Sequence, residues 1–387
     1  MKLAFVVQRY GLDVNGGAEH SCRLSVEHLS KYYDIEVLTT CAKDYVTWKN
    51  EYPEGEEKIN NILVRRFKVD KERNIKKFNE FTQKLLKYPH SELDENKWIE
   101  DQGPYVPGMV DYINSNKNDY DFFIFFTYRY YHSFFGLPLV KDKSILVPTA
   151  ENDFTLDFRI TKTLFRLPKF FIYHTEEEKE IIDLKFGNEN IPGEVIGVGI
   201  DVPGKINSED FKRKYNIDNF IIYVGRIDES KGCKELFNYF INYKKAEKQS
   251  NIKLVLLGKA VMKVPKHPDI ISLGFVSEQD KFNGIKAAKL LIMPSRYESF
   301  SMVTMETWLC NNAVLVNGEC EVLKGHCKKS NGGLYYTNFN EFRECLDMLL
   351  RDNVLRIKMG NNGHKYVEQN YSWNVVEGKY LKLLNEI

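Results

Sequence analysis

The chain has 387 residues, 43% of them hydrophobic and 28% charged, with a formal net charge of +1. That length suits two domains with sizeable cores, and the balanced charge gives no overall attraction to nucleic acid or an anionic membrane. Seven cysteines are scattered without a Cys-x-x-Cys pair, which argues against a disulfide framework or a zinc site and for reduced thiols in a cytoplasmic protein.

Met1-Lys2 runs straight into Leu3-Ala4-Phe5-Val6-Val7, too short for a signal peptide and suited to a first buried strand over 3–8. No apolar run reaches the roughly 18 residues a membrane span needs. Gly16-Gly17-Ala18-Glu19 precedes an amphipathic helix over 18–29. Bare backbone there lets a ligand approach the helix start, and an ordinary flexible turn accounts for the same pair. No Gly-x-Gly-x-x-Gly follows the strand, so this is not a dinucleotide fingerprint.

Strands are expected over 35–38 and 62–67. In the charged, aromatic segment 69–98, Ile75, Phe78, Phe81 and Leu85 recur at near-helical spacing among Lys76, Lys77, Lys84 and Lys87. The pattern fits a peripheral membrane-surface helix, or the commoner case of an amphipathic helix packed on its own domain. A strand over 121–127 opens into Tyr128-Arg129-Tyr130-Tyr131-His132. Asp119-Tyr120-Asp121 could pass for a metal-binding carboxylate pair, but it precedes the strand, away from the carboxyl-end crevice where open α/β sheets bind ligands, and reads as a solvated turn. A strand over 144–148 leads to Thr149-Ala150-Glu151-Asn152-Asp153, and one over 170–173 to His174, a lone histidine better suited to a structural role.

Small residues over 193–201 suggest a hinge, with a boundary between 195 and 200 that divides the chain into 1–196 and 197–372. The second part repeats the strand–helix rhythm at 220–224, 253–257, 270–273, 290–293, 314–316 and 334–336. Alternation in both halves predicts an α/β protein of two doubly wound parallel sheets.

Two stretches of the second half carry the chemistry. Gly225-Arg226-Ile227-Asp228-Glu229-Ser230-Lys231-Gly232 is a strand-to-helix turn, where two cations beside a helix start suit an intervening anion. Pro294 to Glu306 follows a buried strand, with Ser299 and Ser301 at helix N-cap positions and helix expected over 304–309. Glu298 and Glu306 lie eight residues apart. In one continuous helix they would be separated by about 12 Å of rise and roughly 80° of rotation, flanking an anion site at the helix mouth. Dipole-favoured surface carboxylates would look the same. Asn311 and Asn312 can end that helix in the left-handed conformation. Gly258 and Gly274-Phe275-Val276-Ser277 also follow strands and should border the same crevice.

A Gly-Arg…Lys-Gly turn followed by Glu, seven residues and Glu resembles family 4 of the retaining, nucleotide-sugar-dependent glycosyltransferases, most closely over 220–336. The resemblance implies GT-B architecture: two Rossmann-like domains facing across a cleft, the first on the acceptor side, the second binding the nucleotide sugar. It also implies a final helix over 373–387 that packs back on the first domain. Glu298, Arg226, Lys231 and Glu151 would be catalytic, with Glu298 on the donor sugar and the cations on the diphosphate. Gly16, Gly17, Gly225, Phe275, Val276, Ser299, Phe300, Ser301 and Met302 would contact donor or nucleotide, and Glu306 the ribose. No metal and no cofactor are implied. The donor would be a UDP- or GDP-sugar and the acceptor a glycan or lipid-linked saccharide at the cytoplasmic face of a membrane. One subgroup has Pro-Thr-Ala-His-Asp-Glu where this chain has Pro148-Thr149-Ala150-Glu151-Asn152-Asp153. Glu151 thus stands in for a histidine that touches the donor, and an ionised carboxylate can accept a hydrogen bond or a proton but cannot donate one. That departure keeps open a non-catalytic sugar-nucleotide-binding partner; a sugar-nucleotide epimerase or hydrolase is the other alternative.

Overall fold

The computed structural model describes residues 1–247 and 250–387. They form two compact units, Met1–Val198 with Lys379–Ile387, and Gly199–Gly378. Each is an α/β unit built on one sheet, wholly parallel in the second unit and parallel but for one edge strand in the first.

The first unit's strands are β1 (Lys2–Val6), β2 (Asp34–Thr40), β3 (Gly55–Ile59), β4 (Ile62–Phe67), β5 (Phe122–Phe126), β6 (Ser144–Val147), β7 (Phe170–Tyr173) and β8 (Gly193–Val195). Their order is β3-β4-β2-β1-β5-β6-β7-β8. Phe122-Phe123-Ile124-Phe125-Phe126 is buried throughout, the apolar run that a strand covered on both faces requires. β3 pairs antiparallel with β4, and every other pair is parallel. It escapes a reading by apolar runs because Gly55-Glu56-Glu57-Lys58-Ile59 is a charged edge strand. Its signal is Asn60-Asn61, both at positive φ (50° and 66°), the requirement of a tight hairpin turn. The first residues of the small-residue run form β8, which pairs with β7, and the division between the units follows a few residues later, at Val198 and Gly199.

The segment after β4 folds into helices Ile75–Lys87 and Glu92–Gln102. Phe78 and Phe81 pack on the core, Leu85 is buried, and the Phe78 ring lies 5.2 Å from that of Trp98. Most of the apolar stripe is therefore spent inside the unit, with Ile75 at its end left exposed.

The second unit's strands are β9 (Phe220–Val224), β10 (Lys253–Leu257), β11 (Ile270–Gly274), β12 (Leu290–Met293), β13 (Ala313–Asn317) and β14 (Gly333–Tyr336). They run β11-β10-β9-β12-β13-β14, all parallel. Counted within the unit this is 3-2-1-4-5-6, the Rossmann order, whose switch point lies between β9 and β12. Beneath it the helix Met302–Leu309 is fixed by Trp308, fully buried, whose Nε1 donates to the Gly332 carbonyl at 2.9 Å. The long helix Asn353–Tyr371 meets that indole at Gly363, where a Cβ would stand 2.1 Å from a ring carbon. The last helix, Trp373–Glu386, begins in the second unit and ends in the first, where Lys379 Nζ donates to the Val195 carbonyl at 3.0 Å.

Among the described residues no helix is long and apolar enough to cross a membrane, and all seven cysteines are free of disulfides.

Candidate functional site

Open α/β sheets bind ligands beyond the carboxyl ends of the strands at the switch point, so the turns after β9 and β12 come first. Gly225 leaves β9 at φ 148° and donates to the Leu257 carbonyl at 2.9 Å. A Cβ on Gly258 would lie 2.0 Å from the Gly225 oxygen, and the Gly258 N–H donates to Gly274 O at 2.7 Å. The three glycine turns therefore stack edge to edge, and close backbone approach accounts for Gly258. Next to them Val276 is half-buried and Phe275 is 72% exposed, large for an aromatic residue.

Arg226 pairs with Asp228 (Nε to Oδ2, 2.8 Å), and Asp228 Oδ1 accepts from both the N–H and the hydroxyl of Ser230 at 2.6 Å. Burial alone would raise the Asp228 carboxyl pKa. The Ser230 bonds and the guanidinium outweigh it and hold the group below the usual carboxylate range. Gly232, at φ 75°, begins the helix Cys233–Ala246 with a Cβ position 2.2 Å from the Pro294 carbonyl oxygen. That contact seats the turn on the loop after β12. Across it Lys231 Nζ reaches Glu298 Oε1 at 2.9 Å.

The Glu298 loop is not the start of a continuous helix. Residues 298–301 are non-helical, and the helix begins at Met302, so the rise and rotation expected between Glu298 and Glu306 do not apply. Ser301 occupies the N-cap position at φ 67°, a left-handed conformation uncommon outside glycine. Its hydroxyl pairs with Thr304 Oγ1 at 2.9 Å, and no side chain caps the helix. An uncapped first turn keeps N–H groups available for an anion. Ser299 is half-buried. Phe300 is buried, and its carbonyl accepts from His326 Nε2 at 3.1 Å. Burial pushes the His326 pKa down to about 3, so the ring is neutral, with Nδ1 left to accept from Tyr366 OH at 3.1 Å. Glu306, one turn inside the helix and 5% exposed, takes Lys281 Nζ on Oε1 at 2.7 Å. Asn311 ends this helix at φ 57°.

In the first unit the same switch-point logic selects the turns after β1, β5 and β6. Gly16 precedes the helix Gly17–Leu29, and Glu19 folds back so closely that a Gly16 Cβ would lie 2.1 Å from Glu19 Oε2. Glu19 is held there by buried Arg9, whose Nε and Nη2 donate to Oε1 at 2.9 and 2.6 Å. Thr127 and Thr149 end the adjacent strands at φ 67° and 49°, and Thr149 Oγ1 donates to Thr127 Oγ1 at 3.0 Å. Left-handed β-branched residues are genuine outliers, and here they turn two loops toward each other. Arg129 on one loop lies 2.6 Å from Asp153 and 3.5 Å from Glu151 on the other. Glu178 anchors the second loop, accepting from the N–H groups of Ala150 and His174, each at 2.6 Å. Burial raises its pKa to about 8. His174 is buried and pushed down to about 4, and its Nε2 lies 3.4 Å from Ser21 Oγ. Asp121 Oδ2 accepts from the Lys2 N–H at 2.7 Å at the amino end of the sheet.

The second unit thus joins Arg226, Lys231 and Glu298 at one switch point, with Glu306 on the adjoining helix. Glu151, Gly16 and Gly17 belong to the first unit. Sequence reasoning missed four partners. Asp228 and Arg129 stood beside residues already singled out, whereas Lys281 and Arg9 lie 25 and 10 residues from the glutamates they pair with and carry no local signal.

Residues 206–366 match the family model of glycosyl transferases group 1, which covers both the Arg226 turn and the Glu298 loop. Among curated proteins the chain is 24% identical to the capsular polysaccharide biosynthesis glycosyltransferase CapM of Staphylococcus aureus, over 56% of this chain and 60% of that protein. It is 28% identical to an uncharacterized glycosyltransferase of Methanocaldococcus jannaschii, over 44% of this chain and 45% of that protein. The chain therefore matches about half the length of these two relatives. Solved structures similar over nearly the whole chain include a sucrose-phosphate synthase of Thermosynechococcus elongatus (TM-score 0.75, 15% identity, 100% of this chain and 98% of that one). HepE of Anabaena, solved with UDP and glucose, aligns over 100% of both chains (TM-score 0.73, 14% identity). The fold is that of GT-B glycosyltransferases, two Rossmann-like parallel-sheet units.

Proposed function

We propose that the protein is a family 4-type retaining glycosyltransferase that moves a sugar from a UDP- or GDP-sugar to a glycan or lipid-linked acceptor. The observation that carries this is the 2.9 Å contact of Lys231 with Glu298 at the switch point, because it joins the two halves of the motif at one site. In this reading the diphosphate lies against the uncapped start of Met302–Leu309, where N–H groups, Arg226 and Lys231 take up the charge that develops as the sugar departs. Glu298 holds sugar hydroxyls through charge-assisted bonds of about 1.5–3 kcal/mol each. Glu306 accepts from ribose hydroxyls, and exposed Phe275 and half-buried Val276 lie by the base. The leaving phosphate helps remove the acceptor proton from the same face. Glu151, paired with Arg129, accepts hydroxyl hydrogen bonds in place of a histidine.

The capsular polysaccharide role named for CapM supports a cell-surface glycan as acceptor; transfer at the cytoplasmic membrane face is part of the same proposal. The cations and N–H groups do the work that a divalent metal does elsewhere, so transfer is expected to persist in chelator; strict dependence on manganese would refute that part. The test of the whole is Glu298→Ala, expected to abolish transfer while fold and nucleotide affinity survive. Unchanged turnover removes Glu298 from the site.

A further inference from the structure

Glu306 is an unusual carboxylate to offer to a ribose. It is almost wholly buried, and burial pushes its pKa upward, toward a neutral acid that accepts hydrogen bonds poorly. The opposing influence is Lys281, on the helix Glu278–Ala287, with Nζ 2.7 Å from Glu306 Oε1. Lys281 is itself 15% exposed at its side chain and is held on its other side by Glu278 Oε2 at 2.6 Å. The ammonium also lies 4.8 Å from the Phe282 ring centroid, within cation–π reach. The ammonium therefore fixes one oxygen of Glu306 and favours its charged form against the burial. Helical spacing sets Glu306 on the face of Met302 and Val303, the half-buried residues at the helix mouth.

We infer that Lys281 is a positioning residue that keeps Glu306 ionised and aimed, and so confers selectivity for a nucleotide with ribose hydroxyls. The inference rests on the proposed ribose role of Glu306. It adds a residue outside both motifs, 25 positions from its partner.

The test is calorimetric titration of the full chain with UDP and GDP and with their 2′,3′-dideoxy counterparts, the readout being the ratio of the two affinities for whichever base binds. A merely structural tie between the two helices would lower both affinities together and leave the ratio alone. Lys281→Met, which keeps the buried stem, is expected to shrink the ratio about tenfold, and Lys281→Arg to restore most of it. Glu306→Ala should abolish the preference altogether. A preference lost in Glu306→Ala but intact in Lys281→Met overturns the role of Lys281 and leaves the ribose assignment standing. A preference intact in Glu306→Ala overturns that assignment and this inference with it. Failure of the native chain to bind either diphosphate overturns the functional reading itself. Should Lys281→Met fail to fold, Lys281→Gln with the same ratio serves.

Discussion

Gly232→Ala strains the site through two separate costs. At φ 75° an added Cβ meets the following carbonyl of its own chain, worth roughly 1–2 kcal/mol. The same Cβ would stand 2.2 Å from the Pro294 oxygen, a backbone atom that no rotamer change can withdraw, and overpacking of this kind costs about 1–3 kcal/mol. The two act on different degrees of freedom, so the second unit should lose about 2–5 kcal/mol, a fall of roughly 5–15 °C in its unfolding transition. Relief can come only by moving the turn away from the loop after β12, which draws Lys231 from Glu298, so nucleoside diphosphate affinity should fall at least tenfold. Scanning calorimetry and titration calorimetry read the two effects. Gly378→Ala is the control of opposite sign: its Cβ meets nothing within 4 Å inside the last helix, and it should stabilise by up to about 1 kcal/mol. A Gly232→Ala protein with native melting and native affinity would refute the reasoning.

Arg226→Ala with Lys231→Ala should weaken binding of a nucleoside diphosphate far more than that of the bare nucleoside, by titration of each; equal losses would contradict their diphosphate role. Arg129→Met strands Glu151 and Asp153 on facing loops without their cation, and should cost roughly 1–3 kcal/mol in a thermal melt. Acid should destabilise the fold well above the usual carboxylate range. Burial lowers the pKa of His132 and His174 to about 4 and of His326 to about 3, so their contribution is complete above about 6.5, the unfolded value, and is lost as pH falls through it. Glu178, raised to about 8, acts in the opposite direction, its contribution fading as pH rises through that value. Glu306, also raised by burial, acts with Glu178, and three groups against two leave a net loss of up to roughly 1–2 kcal/mol per pH unit between 6.5 and 4.5. Melting temperatures that stay level or rise from pH 7 to 5 would contradict this.

The legible parts were those whose cause is local. Runs such as Phe220 to Val224 announce buried strands, and Gly232 sits where the chain turns back into a helix. Illegible were features decided by tertiary contact. Nothing in Ser301-Met302-Val303-Thr304 says that Ser301 adopts a left-handed conformation and spends its hydroxyl on Thr304, which is why helical spacing misjudged Glu298 against Glu306. The Lys281 and Arg129 pairings need whole helices and sheets to be in place before the partners meet. The charged strand β3 failed for another reason, since an exposed edge has no apolar alternation to read.

The pairing of Arg226 with Asp228 and of Lys231 with Glu298 leaves the mouth of the site close to electrically balanced. A phosphate arriving there is not drawn in from a distance by a positive field; it must displace or share contacts that carboxylates already hold. Association should therefore change little with ionic strength, and inorganic phosphate, bringing charge without a shape to fit, should be a poor competitor. At such a mouth the outline of the whole nucleotide has to bring the diphosphate up to cations that carboxylates already hold.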